Sequence, residues 1–205
     1  LSHMGYRGVE LAGFGNLTTA KDVKKVLDDN GVVASGAHLG LDNFEKNFEQ
    51  TLADYGETIG TKNLIVPYTN ARDTAAYTEL AKGLTKVGEK LSPRGYTFLY
   101  HNHDFEFTPL PEGGNGMDII FGQTDPKLVK AELDLYWVKR GGQDPVAYLN
   151  KFGSRAVLVH LKDQDKTDPK KFAPVGQGQL DFKAIGAVAN KIGVQWGAVE
   201  QADCY

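Results

Sequence analysis

The sequence predicts an α/β fold, a TIM (β/α)8 barrel lacking its first strand and last helix, and three observations carry that prediction. Seven short β-rich runs, each bounded by turn residues, alternate with helical patterns. Short runs of Val, Leu and Ile joined by helical crossovers make a parallel sheet. Polar residues stand at the C-terminal ends of six of those runs: Glu10, His38, His101, Asp134, His160 and Glu200. A doubly wound sheet gathers its functional residues at one switch point, whereas a barrel draws them from many strand ends. The strand count is one short of a complete barrel. The expectation is therefore a single domain over 1–205, trimmed at both ends from a longer protein, with Met4 and Gly5 read as native residues running into the first strand.

Taken in order, GVELAG (8–13) is the first strand, and LSHMGY before it reads as the tail of a helix. TTAKDVKKVLDDNG follows as a helix that Thr18 or Thr19 can cap and Gly31 ends. VVASGAHLG is a strand and FEKNFEQTLADYGETIG a helix; NLIVPY leads to a helix over 73–91, stopped at Ser92-Pro93-Arg94-Gly95. Residues 96–107, YTFLYHNHDFEF, form the strand around which the rest makes sense, because an apolar start gives way abruptly to His101, Asn102, His103, Asp104 and Glu106. PEGGNGMDII is a Gly-rich connection, and VKAELDLYWV is a strand followed by a helix near 144–152 with Pro145 in its first turn. AVLVHLKD runs through a long polar loop to a helix capped near Asp181, and WGAVEQ is the final strand.

Composition bounds the function. At 205 residues, 41% hydrophobic and 24% charged, the chain can bury one sizeable core. No apolar run approaches the roughly 18 residues of a membrane span, so no membrane partner is expected. A net charge of -3 gives no basic footprint for nucleic acid. The single cysteine, Cys204, excludes an internal disulfide and reads as a bystander. No signal peptide is visible, which says little where the first residue shown need not be the natural N-terminus; a cytoplasmic setting is the expectation.

Alternation along strands aligns the chemistry. Leu99, His101 and His103 share one face, as do Glu132 with Asp134 and His160 with Lys162. Imidazoles and carboxylates from four strand ends suit a divalent metal.

These motifs together (GYRGVEL, SGAHLG, YHNHDFEF, ELDLYWVKRGGQDPVAYL, VLVHLKD, VGQGQLDFKAI and VEQ) resemble the xylose isomerase-like TIM barrels, the sugar phosphate isomerase/epimerase superfamily that also includes endonuclease IV. The resemblance implies one divalent metal, Mn, Co, Mg or Zn, held by Asp134, His160, Glu200 and, at the end of the YHNH strand, His101. Family members usually carry Glu at that last position. Of the two opposed glutamates that often act as bases in the epimerases, this sequence retains Glu200 alone.

A metal so placed can chelate adjacent hydroxyl and carbonyl oxygens of a sugar and stabilise an enediolate. Glu200 is the expected base, His101 or His103 the carrier of the second proton transfer, and Lys162 the partner of the developing oxyanion. Glu10, His38 and His103 are expected substrate contacts; Trp137 is either an apolar wall against the sugar ring or core packing. Lys162-Asp163 reads alternatively as a rim salt bridge. VGQGQLDF resembles a phosphate-cradling turn without the Gly-Lys-Ser/Thr ending.

The expected activity is a metal-dependent sugar isomerase or epimerase acting beside a carbonyl of a small sugar or keto-sugar, in a chain that can pair as a homodimer. The alternative is a dehydratase or lyase on an inosose or 3-keto-glycoside. An endonuclease IV-like phosphodiesterase needs more than the five histidines present, one of them His3 in the N-terminal tail, and a basic rim. A non-catalytic sugar-binding barrel is the remaining class.

Overall fold

The computed structural model describes residues 1–201, so Cys204 lies outside the described residues. Six strands, β1 (Gly8–Leu11), β2 (Val33–His38), β3 (Asn63–Val66), β4 (Thr97–His101), β5 (Lys130–Asp134) and β6 (Ala156–Leu161), pair in chain order, each parallel to the next. A small antiparallel pair, β7 (Asp163–Gln164) and β8 (Phe172–Ala173), then leaves the sheet, and β9 (Trp196–Val199) returns to pair parallel with β6. The seven-stranded sheet is a nearly closed barrel with β1 and β9 as its edges. A Cβ at Gly8 would come within 3.0 Å of the Trp196 ring, so this indole lies against β1.

The crossovers carry the helices. Thr19 caps α1 (Ala20–Asp29) through a reciprocal pair of bonds with Asp22, as its Thr-Thr-Ala-Lys-Asp start predicts. The next stretch is not the one helix expected. It breaks into α2 (Leu41–Lys46), α3 (Phe48–Thr51) and a π-helical segment, Leu52–Ile59, where Gly56 leaves no room for a side chain beside the Tyr96 ring. Asp73 caps α4 (Thr74–Leu91) and Asn115 caps α5 (Gly116–Gly122), a short helix inside what reads as a Gly-rich connection. After β5 come α6 (Leu135–Arg140) and α7 (Pro145–Phe152), capped by Asp134 and Asp144; α8 (Phe182–Ile192) is capped by Asp181 as expected. Among the described residues no helix is long and apolar enough to cross a membrane.

Alternation sorts each strand into two environments. Leu64, Val66, Phe98, Tyr100, Ala131, Leu133 and Val159 face outward into the core shared with the helices, where Tyr77, Leu84 and Leu91 of α4 meet them. Ile65, Leu99 and Leu158 face inward and pack with Trp196 inside the barrel. Two residues beyond Leu99 and Leu158, His101 and His160 face inward as well. Register shifts fall between Val9 and Glu10 and between Ala131 and Glu132, local kinks of the kind that re-aim a side chain.

Gly88 shows how tightly α4 is seated. A Cβ there would lie 2.7 Å from the Leu128 carbonyl oxygen and 3.1 Å from its Cβ, and backbone cannot step aside cheaply. Gly88→Ala gains up to about 1 kcal/mol in helix propensity. The forced shift is expected to outweigh it, for a net loss of about 1–2 kcal/mol in urea unfolding; a gain in stability would show that α4 slides freely.

Candidate active site

The inward residues form two layers of polar groups stacked on the apolar plug. The lower layer, the floor, joins five side chains from five strands. His38 Nε2 lies 2.8 Å from Glu10 Oε1 and 2.7 Å from Glu132 Oε2, and His101 Nδ1 lies 3.1 Å from the same Glu132 oxygen. His160 Nε2 reaches Glu10 Oε1 at 2.7 Å and Glu132 Oε2 at 3.5 Å. The His38 and His160 rings are parallel at 5.4 Å, and His101 meets His160 edge-on at 4.6 Å. Gly36 makes this possible, since a Cβ there would press on Ile65 and stand 3.2 Å from Glu10 Oε2.

The upper layer, the rim, is built on Asp134, His160, Lys162 and Glu200. His160 Nδ1 is 2.8 Å from Glu200 Oε2 and 3.8 Å from Asp134 Oδ2, while the Lys162 ammonium bridges Asp134 Oδ2 at 3.0 Å and Glu200 Oε2 at 2.9 Å. Asp134 also caps α6 through the Trp137 amide, and its own amide is held by Asn102 Oδ1 at 3.1 Å, so the strand end is pinned from both sides. His101 Nε2 is 3.9 Å from Asp134 Oδ2, the outermost of these contacts. A cavity of about 660 Å³ opens between the β1 and β9 edges and is lined in part by Glu10, His38, His160 and Glu200.

Burial and pairing set the protonation pattern. Burial opposes charge on His38, yet the hydrogen bonds that its imidazolium donates to Glu10 and Glu132 carry it up to about 9. His160 is also desolvated, and Glu10 and Glu200 hold it well above the ordinary histidine range. His101 shares the Glu132 oxygen with His38, and burial, with the charges of His160, His38 and Lys162 beside it, pushes it well below that range. Burial raises the Glu132 carboxyl to about 7 against the pull of His38. Glu200 is the reverse case: His160 and Lys162 overcome its partial burial and hold it near 2. The rim carboxylate is therefore ionised at neutral pH.

Aromatic rings wall one side. His103 sits 5.3 Å from Trp137, 5.5 Å from Phe105 and 5.6 Å from the half-exposed Tyr68, measured between ring centres. The strand predicted over 96–107 ends at His101, because the chain turns over a buried carboxylate. Glu106 Oε1 accepts from the Tyr100 hydroxyl at 2.6 Å and Oε2 from the His103 amide at 2.9 Å, ahead of a 3-10 turn over Phe105–Phe107. His103 stays beside His101, 5.1 Å between rings, although it is no longer on a strand. Trp137 likewise lies on α6 and not on the strand the sequence predicts, since Asp134 ends β5 by capping that helix.

Glu10, His38, His101, Asp134, His160, Lys162 and Glu200 all converge, with His103 and Trp137 beside them. Glu132 is the residue that sequence reasoning missed. Its signal was present, since it shares a face with Asp134 two residues on. The VGQGQLDF turn does not present free amides to a phosphate: Gly176, Gly178 and Leu180 donate theirs to the Asp163 carboxylate at 3.0, 2.8 and 3.0 Å. Asp163 is thus committed to this turn, and Lys162 pairs with Asp134 and Glu200 instead.

A family model described as xylose isomerase-like TIM barrel matches residues 1–201. The chain belongs to the xylose isomerase-like TIM barrel family. Within that family it is similar to the inosose dehydratase of Clostridium beijerinckii, 30% identical over 52% of this chain and 40% of that protein, so the match spans less than half of that relative's length. The inosose dehydratase of Lacticaseibacillus casei is 23% identical over 97% of this chain and 78% of its own. Among solved structures, a sugar phosphate isomerase/epimerase from Parabacteroides distasonis superposes with a TM-score of 0.83 at 25% identity, covering 99% of this chain and 78% of that one. A 3-keto-D-glucoside 4-epimerase from E. coli shares the barrel with a TM-score of 0.68 at 17% identity, over 100% of this chain and 85% of that one. Members of this family with such names are enzymes, and the His, Glu and Asp cluster here is of a kind that can hold a metal.

Proposed function

We propose that this barrel is a divalent-metal-dependent sugar isomerase or epimerase that removes a proton from the carbon beside a carbonyl of a small sugar or keto-sugar. The observation that carries the reading is Glu200: a carboxylate with 43% of its side chain exposed, held ionised on the rim of a polar cavity by Lys162 and His160. The donor set fits a metal. One ligand atom each from Asp134, His160 and Glu200 lie within 4.8 Å of one another, and Asp134 Oδ2 is fully buried with the Lys162 ammonium, at 3.0 Å, as its close partner. Those three residues would hold Mn, Co, Mg or Zn, with His101 at their edge, and the metal supplies a Lewis acid for the substrate oxygens.

The chain's own groups do the proton work. Both close contacts of Glu200 use Oε2, so Oε1 takes the proton from carbon. Lys162, shared between two carboxylates, turns toward the oxyanion as it develops, which leaves Glu200 the stronger base. His103, carried down to about 4 by burial and by Lys162, is a neutral imidazole at working pH and relays the second proton. Glu10 and His38 bind hydroxyls at the cavity wall, and Trp137 shields the apolar face of the ring.

A second reading, elimination of water from an inosose or of the leaving group from a 3-keto-glycoside, is favoured by His101. It stands where family epimerases usually place their other carboxylate base, and the relatives named inosose dehydratases point the same way. Incubation of the metal-loaded protein with inososes and keto-sugars in deuterium oxide separates the two. Deuterium at carbon in a product of unchanged composition supports the isomerase; a product lighter by water or aglycone establishes the elimination. A bound sugar with no exchange overturns both and leaves a binding protein.

A further inference from the structure

We infer that the floor of the barrel is a second divalent-cation site, formed by His38 Nε2, His101 Nδ1 and Glu132 with a Glu10 oxygen closing it, and distinct from the rim donors Asp134, His160 and Glu200. Groups that ligate one metal at roughly 2.0–2.2 Å stand roughly 2.9–3.5 Å from each other. The floor atoms stand at this spacing or a few tenths of an ångström inside it: Glu132 Oε2 is 3.1 Å from His101 and 3.5 Å from His160, while His38 Nε2 is 2.7 Å from Glu132 Oε2 and 2.8 Å from Glu10 Oε1. Ligand atoms of His38, His101, Glu132 and His160 all lie within 4.8 Å of one another.

A second observation points to an absent partner. Glu132 is fully buried, yet its Oε1 makes no hydrogen bond. Natural proteins rarely leave a buried carboxylate oxygen in that state.

The two imidazoles between floor and rim divide themselves. A neutral imidazole has one lone-pair nitrogen and one N–H, so it ligates on one side only. His101 points Nδ1 at Glu132 at 3.1 Å and Nε2 at Asp134 at the longer 3.9 Å, which assigns it to the floor. His160 points Nδ1 at the rim, and its Nε2–H then donates to Glu10 Oε1 at 2.7 Å. That is the carboxylate–imidazole–metal arrangement by which a ligating histidine is usually oriented. Both positions can thus fill together without stripping a second proton from either ring. Two imidazoles with carboxylate oxygens are the donor set of a borderline cation such as zinc or cobalt(II).

The test is metal stoichiometry by elemental mass spectrometry on the full chain, stripped with chelator and reloaded with cobalt(II), alongside Glu132→Gln, His38→Asn and Asp134→Asn. Far-UV circular dichroism selects the folded variants; His38→Asn stands in if Glu132→Gln fails to fold. Two equivalents in the parent, falling to one in either floor variant and to one in Asp134→Asn, support the inference. One equivalent lost with the floor variants and kept in Asp134→Asn supports the floor site and removes the rim site from the proposed function. One equivalent kept in both floor variants and lost in Asp134→Asn overturns the floor site while the proposed function stands. No cobalt in the folded parent overturns both.

Discussion

Glu200→Gln is expected to lower turnover of the enolisable sugar by about 10²–10⁴-fold, the range for loss of a positioned general base. Folding stability is expected to change by about 1 kcal/mol or less, because Glu200 is partly exposed and Lys162 keeps its pairing with Asp134. The loss should fall on kcat and not on KM alone, since the amide still fills the space and still accepts a hydrogen bond from Lys162. Solvent deuterium exchange at carbon is the sharper readout, because it isolates proton abstraction from later steps. If exchange persists at the parental rate, Glu200 is not the base, and the half-buried His103 becomes the candidate.

Glu106→Gln is expected to flatten the pH dependence of stability between about pH 4.5 and 7. Burial carries the Glu106 carboxyl from its ordinary 4.5 to about 7, against the opposing hydrogen bond from Tyr100. In that window the folded protein keeps a proton that the unfolded chain has released. A raised carboxyl therefore contributes stability fully present below pH 4.5 and lost as pH rises through 7. The swing is about 3 kcal/mol for a shift of this size. Glutamine, neutral throughout, removes the swing while keeping an oxygen for the His103 amide. Glu132 is raised in the same direction, so the parent retains part of the slope after substitution. Urea unfolding of parent and variant at several pH values gives the difference; parallel curves would falsify the assignment. The consequence for function is local, since Glu106 turns the chain after His101 and sets where His103 stands.

Much of the barrel could be read from the chain because its elements follow local rules. Thr19, Asp73, Asp144 and Asp181 cap helices at or within a residue of where the sequence predicts them, each through its own side chain and a nearby amide. Alternation along β4, β5 and β6 likewise settles that His101, Asp134 and His160 share the barrel interior with Leu99 and Leu158. The ends of elements resisted reading. β4 stops at His101 because Glu106 folds back under Tyr100 and His103, and β5 stops at Asp134 because that carboxylate caps α6. Each choice depends on a partner that a strand pattern does not reveal.

By itself, the sequence determined the parallel α/β architecture, which polar residues share a face on β4, β5 and β6, and the family of the chain, since periodicity, caps and ordered motifs are properties of neighbouring residues. Only the tertiary structure decided how the inward groups pair. Barrel closure brings Glu10 within 2.7 Å of His160 across the open edge, places Glu132 among three imidazoles, and turns Lys162 from Asp163 to Asp134 and Glu200. Those distances arise from strand stagger, two register shifts and the missing side chain at Gly36, which are set by the packing of the whole sheet.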